Sequence, residues 1–271
     1  MVKASLIISF YNNVDFLKLI VAGLERQNFH NFEIIIADDG STEESIAEIE
    51  KLSLKLACPL IHVWQEDKNF RKNKILNKAV QASSSDYLIF IDGDCIPHSL
   101  FVQEHYDHKQ IGTCFTGRRV NLSPKITSRL TEGNIKCGYL ETSYFSLIMD
   151  GLFGKSYDVE KGFYTSNRFI RNILNRKKRG ILGCNFSLYK SDLLKINGFD
   201  ERYEGPSIGE DSDIQYRLEL IGIKIKSLKY VAVQYHLYHE WQPRPQENLD
   251  LFEQVKLSSV PFTPFGIIKE K

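Results

Sequence analysis

Four runs of apolar residues, ASLIISF from Ala4, FEIIIA from Phe32, LIHVW from Leu60 and YLIFI from Tyr87, begin 28, 28 and 27 residues apart. That spacing leaves room for one helix between each pair of strands. Leu17, Ile20, Val21 and Leu24 fall at i, i+3, i+4 and i+7 and predict an amphipathic helix entered through Asn12 or Asn13 as its cap. Ser41 followed by Glu44 reads as a capping box for a second helix, carrying Ile46 and Ile49. Because the strands are continuously apolar instead of alternating, burial on both faces is expected, hence a mostly parallel sheet flanked by helices. Residues 120 to about 180 show no sustained period. A helical stripe returns at Ile214, Leu218 and Ile221, a strand is expected at LKYVAVQY, and the proline-bearing stretch 241–271 reads as a tail or flap.

Composition narrows the classes. With 42% hydrophobic residues a chain of 271 can bury a proper core. Lys plus Arg total 35 against 34 for Asp plus Glu, which removes any general argument for nucleic acid as a partner. The five cysteines are odd in number and scattered, without a Cys-x-x-Cys pair, so a reducing compartment is expected. No apolar run is long enough to span a bilayer, and LIISF runs straight into Tyr11, Asn12 and Asn13 without a cleavage pattern. A cytoplasmic chain is the expectation, with a peripheral position at the inner face of the membrane as a variant.

The ends of the four apolar runs carry the chemistry. SFYNN, DDGST, QEDKNFRKNK and DGDC should meet along one edge, because ligands of parallel sheets bind beyond the carboxyl ends of the strands. Asp92 and Asp94 stand one residue apart. Two such carboxylates repel each other and are costly to desolvate, so they are kept together where a divalent cation sits between them, although Asp-Gly-Asp is also ordinary turn chemistry. GLFGKS is not a phosphate loop, since Met149 stands where that motif needs glycine, and no G-x-G-x-x-G opens the first helix. A calcium loop is disfavoured because Ile96 takes the place of an oxygen ligand.

SFYNN, ADDGST, NFRKNKILNKA, FIDGDC and GEDSDIQYRL, in that order, resemble the family 2 nucleotide-sugar glycosyltransferases of the A-type fold. The segment Gly183 to His239 resembles the carboxyl-terminal half of galactosyltransferase-like enzymes. The resemblance implies a Rossmann-like, mostly parallel sheet in a single domain over 1–240, with 1–120 binding the nucleotide-sugar and 121–240 binding the acceptor and carrying the base. It implies an inverting transfer from a UDP-sugar (Gal, GlcNAc, GalNAc, Glc or GlcA) to a hydroxyl of a glycan or lipid-linked glycan in polysaccharide or lipopolysaccharide synthesis. It further implies Asp39, with Asp38 beside it, as acceptor for the uracil ring, Phe10 or Tyr11 beside the base, and Arg71 near the base and diphosphate. Asp92 and Asp94 match the Asp-x-Asp that holds a cation on the diphosphate. His239, with His236 as second candidate, matches a further ligand, and this donor set suits Mn2+, with Mg2+ as the alternative. Asp211 matches the catalytic base, with Glu210 beside it in the donor site and Asp213 close by.

Asn185 in GCNFSLY is a candidate hydroxyl contact, and Thr116 to Arg119 could reach the diphosphate or acceptor. RFIRNILNRKKR, within 168–179, mixes Arg168, Arg171, Arg176, Lys177, Lys178 and Arg179 with apolar residues; it could rest on an anionic membrane, or be a solvated helix or acceptor loop. Two other classes stay open. A sugar nucleotidyltransferase would normally carry a glycine-rich basic loop where SFYNNVD stands, and a non-catalytic sugar-nucleotide or glycan-binding module would not need Asp211.

Overall fold

The computed structural model describes residues 1–174, 180–206, 209, 211–240 and 243–269. In its first half the chain alternates strand and helix as the apolar beat predicts: β1 (Ala4–Phe10), α1 (Val14–Leu24), β2 (Phe32–Asp38), α2 (Glu43–Ser53), β3 (Leu60–Trp64), α3 (Lys72–Ala82) and β4 (Tyr87–Asp92). There follow β5 (Cys95–Pro97), α4 (Phe101–His108), β6 (Thr113–Thr116) and β7 (Arg118–Asn121). Four short helices come next, α5 (Pro124–Thr127), α6 (Glu132–Lys136), α7 (Tyr139–Thr142) and α8 (Tyr144–Phe153). The remainder holds α9 (Arg168–Leu174), β8 (Asn185–Tyr189), α10 (Lys190–Leu194), α11 (Ser212–Leu220), β9 (Lys224–Ser227), β10 (Val233–His236) and α12 (Gln246–Ser258).

Seven strands form the main sheet in the order β3-β2-β1-β4-β8-β6-β9. The first four are parallel, β8 runs antiparallel between β4 and β6, and β9 is parallel to β6. A smaller sheet, β5-β10-β7, stands beside it. Two apolar cores cover the two faces of the main sheet. One holds Leu6, Ile8, Leu17, Ile34 and Ile89; the other holds Ile7, Ile35, Ile75, Leu88 and Leu218. Odd and even positions of the same strands thus enter different cores, which is why those strands are apolar without alternation. β3 is the exception: as an edge strand it is only half buried.

Local signals were mostly sound. Asn13 caps α1, accepting from Phe16 N at 3.2 Å, and Leu17, Ile20, Val21 and Leu24 are all buried. For α2 the cap is Thr42, accepting from Ser45 N, and not Ser41, whose hydroxyl is engaged by Asp38. The strand expected at LKYVAVQY is shorter than its apolar content suggests, because Tyr230 takes a left-handed φ of 75° and only Val233–His236 pairs. The proline-bearing stretch folds into α12 and a return segment. Asn197 donates to the carbonyls of Thr263 and Ile268, and Asn248 donates to that of Gly205.

Candidate active site

The turn from β4 into β5 is the centre of the site. Asp92 ends β4, and its Oδ1 accepts from Ser9 Oγ on β1 at 2.8 Å and from Lys72 Nζ at the start of α3 at 2.6 Å. The next residue must be glycine: a Cβ on Gly93 would lie 2.6 Å from the Ser9 carbonyl oxygen. The turn is therefore pressed against β1 and sends Asp94 the other way, toward β10. Antiparallel pairing sets His236 opposite Cys95, and Leu237 N donates to the Asp94 carbonyl at 2.8 Å. Asp94 Oδ2 consequently lies 3.3 Å from His236 Nε2 and 3.1 Å from His239 Nε2, and the two imidazole nitrogens are 3.2 Å apart.

Burial alone would push the Asp94 carboxyl up, but hydrogen bonds from His236 and His239 override it and hold the group well below the usual carboxylate range. The same contact with Asp94 raises His239 above an ordinary histidine. Nδ1 of His239 lies 2.9 Å from the Glu240 carbonyl oxygen. When Nδ1 carries the proton for that bond, Nε2 presents a lone pair toward Asp94 and His236. One carboxylate oxygen and two imidazole nitrogens converging at these distances make a donor set that fits a divalent transition metal. Cys95 adds a buried thiol, with Sγ 3.1 Å from Asp94 Oδ1, so Asp94, Cys95 and His236 also form a compact group of potential ligands.

The second acidic pair behaves differently. Asp38 is fully buried; its Oδ1 accepts from Ser41 N at 2.8 Å and Ser41 Oγ at 2.6 Å, and its Oδ2 meets His62 Nε2 at 2.9 Å. Both oxygens are thus spent on shaping the loop after β2. Asp39 accepts from Gln65 Nε2 and from the Arg71 backbone N–H, each at 2.6 Å. Burial nevertheless raises its carboxyl above the usual value. Gly40 turns the chain with φ +99° where a Cβ would meet Asp67 Cα at 2.5 Å. Of the two aromatic candidates, Phe10 is buried in the core, whereas Tyr11 is half exposed and donates to Asp67 Oδ2 at 3.0 Å. Arg71 caps the site from α3, its guanidinium donating to the Glu66 carbonyl.

The first turn of α3 ties these groups to the other half of the chain. Next to Lys72, Asn73 donates to the carbonyls of Asp200 at 2.7 Å and Gly209 at 3.3 Å. Asp211, two residues after Gly209, caps α11 and accepts from Ser212 N at 2.7 Å. It is partly exposed, whereas Asp213 is buried in an ion pair with Arg217. Glu210 lies outside the described residues, as do Arg176, Lys177, Lys178 and Arg179.

One expectation is overturned. Asn185 is fully buried, with Nδ2 donating to the carbonyls of Arg118 and Ala232 and Oδ1 meeting Gly117 N at 3.1 Å and His105 Nε2 at 3.0 Å. No polar atom of its side chain remains to meet a substrate hydroxyl; it fixes the β6–β7 junction instead. Arg118 likewise donates inward, to Thr116 Oγ1 and to the carbonyls of Gly117 and Gly180. Arg119 reaches Cys184 Sγ at 3.3 Å and lies in the field of Asp92 and Asp94. Lys72 is the group that sequence reading missed; its only signal was its place after Arg71, in the first turn of a helix facing the strand ends.

The chain belongs to glycosyl transferase family 2, whose family model matches residues 5–190. The model for the N-terminal domain of galactosyltransferase matches residues 171–240. The chain is similar to the chondroitin synthase of Escherichia coli, at 24% identity over 91% of this chain and 36% of that protein, so it spans about a third of that relative's length. Among solved structures it is similar to S. aureus TarS in complex with UDP-GlcNAc (TM-score 0.60, 16% identity, 94% of this chain and 66% of that one). It is also similar to the mannosyltransferase PcManGT from Pyrobaculum calidifontis in complex with GDP-Man and Mn2+ (TM-score 0.56, 12% identity, 88% and 57%). At such identities these likenesses concern the fold, which is the A-type glycosyltransferase fold. No helix among the described residues is long and apolar enough to cross a membrane.

Proposed function

We propose that the chain catalyses an inverting, metal-dependent transfer of a sugar from a UDP-sugar to a hydroxyl of a glycan in cell-surface polysaccharide or lipopolysaccharide synthesis. The observation that carries this reading is the convergence of Asp94, His236 and His239 beside Asp92 and Lys72, at the carboxyl ends of the parallel strands. Asp94, His236 and His239 would hold Mn2+ or Mg2+, with Asp92 adjacent; such a cation supplies positive charge to a departing nucleoside diphosphate. Lys72 and Arg119 add fixed positive charge on the same side, where negative charge grows as the leaving group separates. Tyr11 offers a ring face to the base, and Asp39 lies at the edge where a uracil N–H would be met.

Asp211 is the proposed base. The acceptor hydroxyl attacks the anomeric carbon opposite the diphosphate, the bond to the diphosphate oxygen breaks, and the hydroxyl proton passes to the Asp211 carboxylate. UDP release measured with manganese over a panel of UDP-sugars, without acceptor and with Asp211→Asn alongside, tests the reading. Slow hydrolysis of one donor that chelation and the mutation both abolish is expected. Failure of UDP with manganese to raise the melting temperature would remove the nucleotide site itself.

A further inference from the structure

A second feature lies outside this site. Between the end of α4, the β6–β9 edge and α9 there is an open hollow of about 510 Å³, lined among others by Arg168, Arg171, Lys226, Lys229, His108 and Asp107. That volume lies in the range of ligand clefts. Four permanent cations face one carboxylate in a chain whose charges otherwise nearly balance. Among the described residues none of the four cations has a carboxylate within ion-pair distance, although Glu104 sits behind His108 at 3.5 Å. Lys229 is only 6% exposed, and its ammonium meets no hydrogen-bond acceptor among the described residues, only the face of Tyr230 at 4.4 Å. Lysines are rarely buried unless paired. Arg171 shares the pattern: Nη1 lies 3.2 Å from His108 Nε2, and its buried Nε has no partner among the described residues. Such crowding of like charge is unfavourable until an anion enters.

Two walls of the hollow are linked along the chain to elements of the proposed active site. From Lys229 the chain runs through Ala232, whose carbonyl holds Asn185, into β10 and His236. The wall formed by α9 precedes Gly180 and Ile181, and the latter donates to Gln215, one turn beyond Asp211. We propose that this hollow seats an anionic group, a carboxylate or a phosphate, carried by the acceptor glycan away from the reacting hydroxyl. The proposal rests on the glycosyltransferase reading. A concave pocket lined by four cations suits a discrete anion better than the flat surface of a bilayer.

Binding to the full chain, with UDP and manganese present, would be measured for three probes: a glucuronate-containing hexasaccharide, a short glycerol-phosphate oligomer, and phosphatidylglycerol vesicles. Wild type is compared with Lys229→Gln and, because that residue is buried, with the more exposed Arg168→Gln/Lys226→Gln double variant. The expected result is about tenfold weaker binding of at least one of the two soluble probes to both variants, with the UDP-induced rise in melting temperature unchanged. Which probe responds identifies the source of the anion. Equal binding of both soluble probes to wild type and variants would overturn the proposal, as would a loss confined to the vesicles, which would assign the hollow to a membrane. If UDP with manganese fails to stabilise wild type, it is the underlying reading that fails.

Discussion

The chain delivers two carboxylates to the sheet edge twice, after β2 as Asp38–Asp39 and after β4 as Asp92–Gly93–Asp94, and the two pairs end in opposite circumstances. After β2, neighbouring N–H and O–H groups of the loop, with His62, take up the oxygens: Ser41 and His62 hold Asp38, and Gln65 and the Arg71 backbone hold Asp39. After β4, the partners include a lysine and two imidazoles, beside the Ser9 hydroxyl and the Cys95 thiol. Proximity of acids therefore says little by itself. What differs is the kind of facing group: fixed donors of the surrounding segments after β2, and after β4 cations and exchangeable ligands that a substrate or metal can replace.

The largest effect that would sharpen this contrast is expected at the proposed base, which belongs to neither pair. Asp211→Asn should lower turnover by about 10²- to 10⁴-fold while leaving metal-dependent UDP binding intact. Single-turnover rates and UDP titration separate the two; wild-type turnover would place the base elsewhere. Next, Asp94→Asn should weaken manganese binding by at least about 100-fold, read by calorimetry, since even outer partners of metal ligands commonly cost that much. Unchanged manganese affinity would erase the difference between the two pairs.

A third effect concerns pH. Asp94 is depressed and His239 raised, so without metal their contact stabilises the fold across the window between these two pKa values. That stability is lost as pH falls through the depressed Asp94 value, and lost again as pH rises through the raised His239 value. Manganese needs the His239 lone pair, so the metal-induced rise in melting temperature should grow as pH climbs through and above the ordinary histidine range. A flat profile would remove His239 from the ligand set. The smallest effect on activity is expected at Asp38. Asp38→Asn should lower stability by roughly 1–3 kcal/mol, measured by urea denaturation, because its buried partners lose a charged acceptor. Manganese affinity should stay as in wild type, and its loss would tie the β2 pair to the metal as well.

Much of this was legible in the sequence because the parallel half is locally determined. Strand spacing, the α1 stripe and the Asp-Gly-Asp turn each follow from a few adjacent residues. That Asp94 would meet His239 and His236 was suggested by the resemblance, and the structure brings the three together. What was not legible depended on long-range partners. Asn185 looks like a polar residue in a site loop, and only the arrival of Gly117, Arg118 and Ala232 around it shows that its polar atoms are used inside the fold. Lys72 looks like one lysine of a basic run until β4 brings Asp92 beneath it. Tyr230 breaks a strand that its neighbours favour, and the short helices between Pro124 and Phe153 lack a period long enough to detect.

The contact of Gly93 with β1 has a further consequence. Since no side chain, not even a methyl group, fits between the turn and the Ser9 carbonyl, the backbone positions of Asp92 and Asp94 are set by the neighbouring strand. On the proposed metal reading, ion preference would be tuned from the histidine side, where β10 ends and His239 is open to solvent. The aspartate side is a fixed anvil; the histidine side is the adjustable jaw.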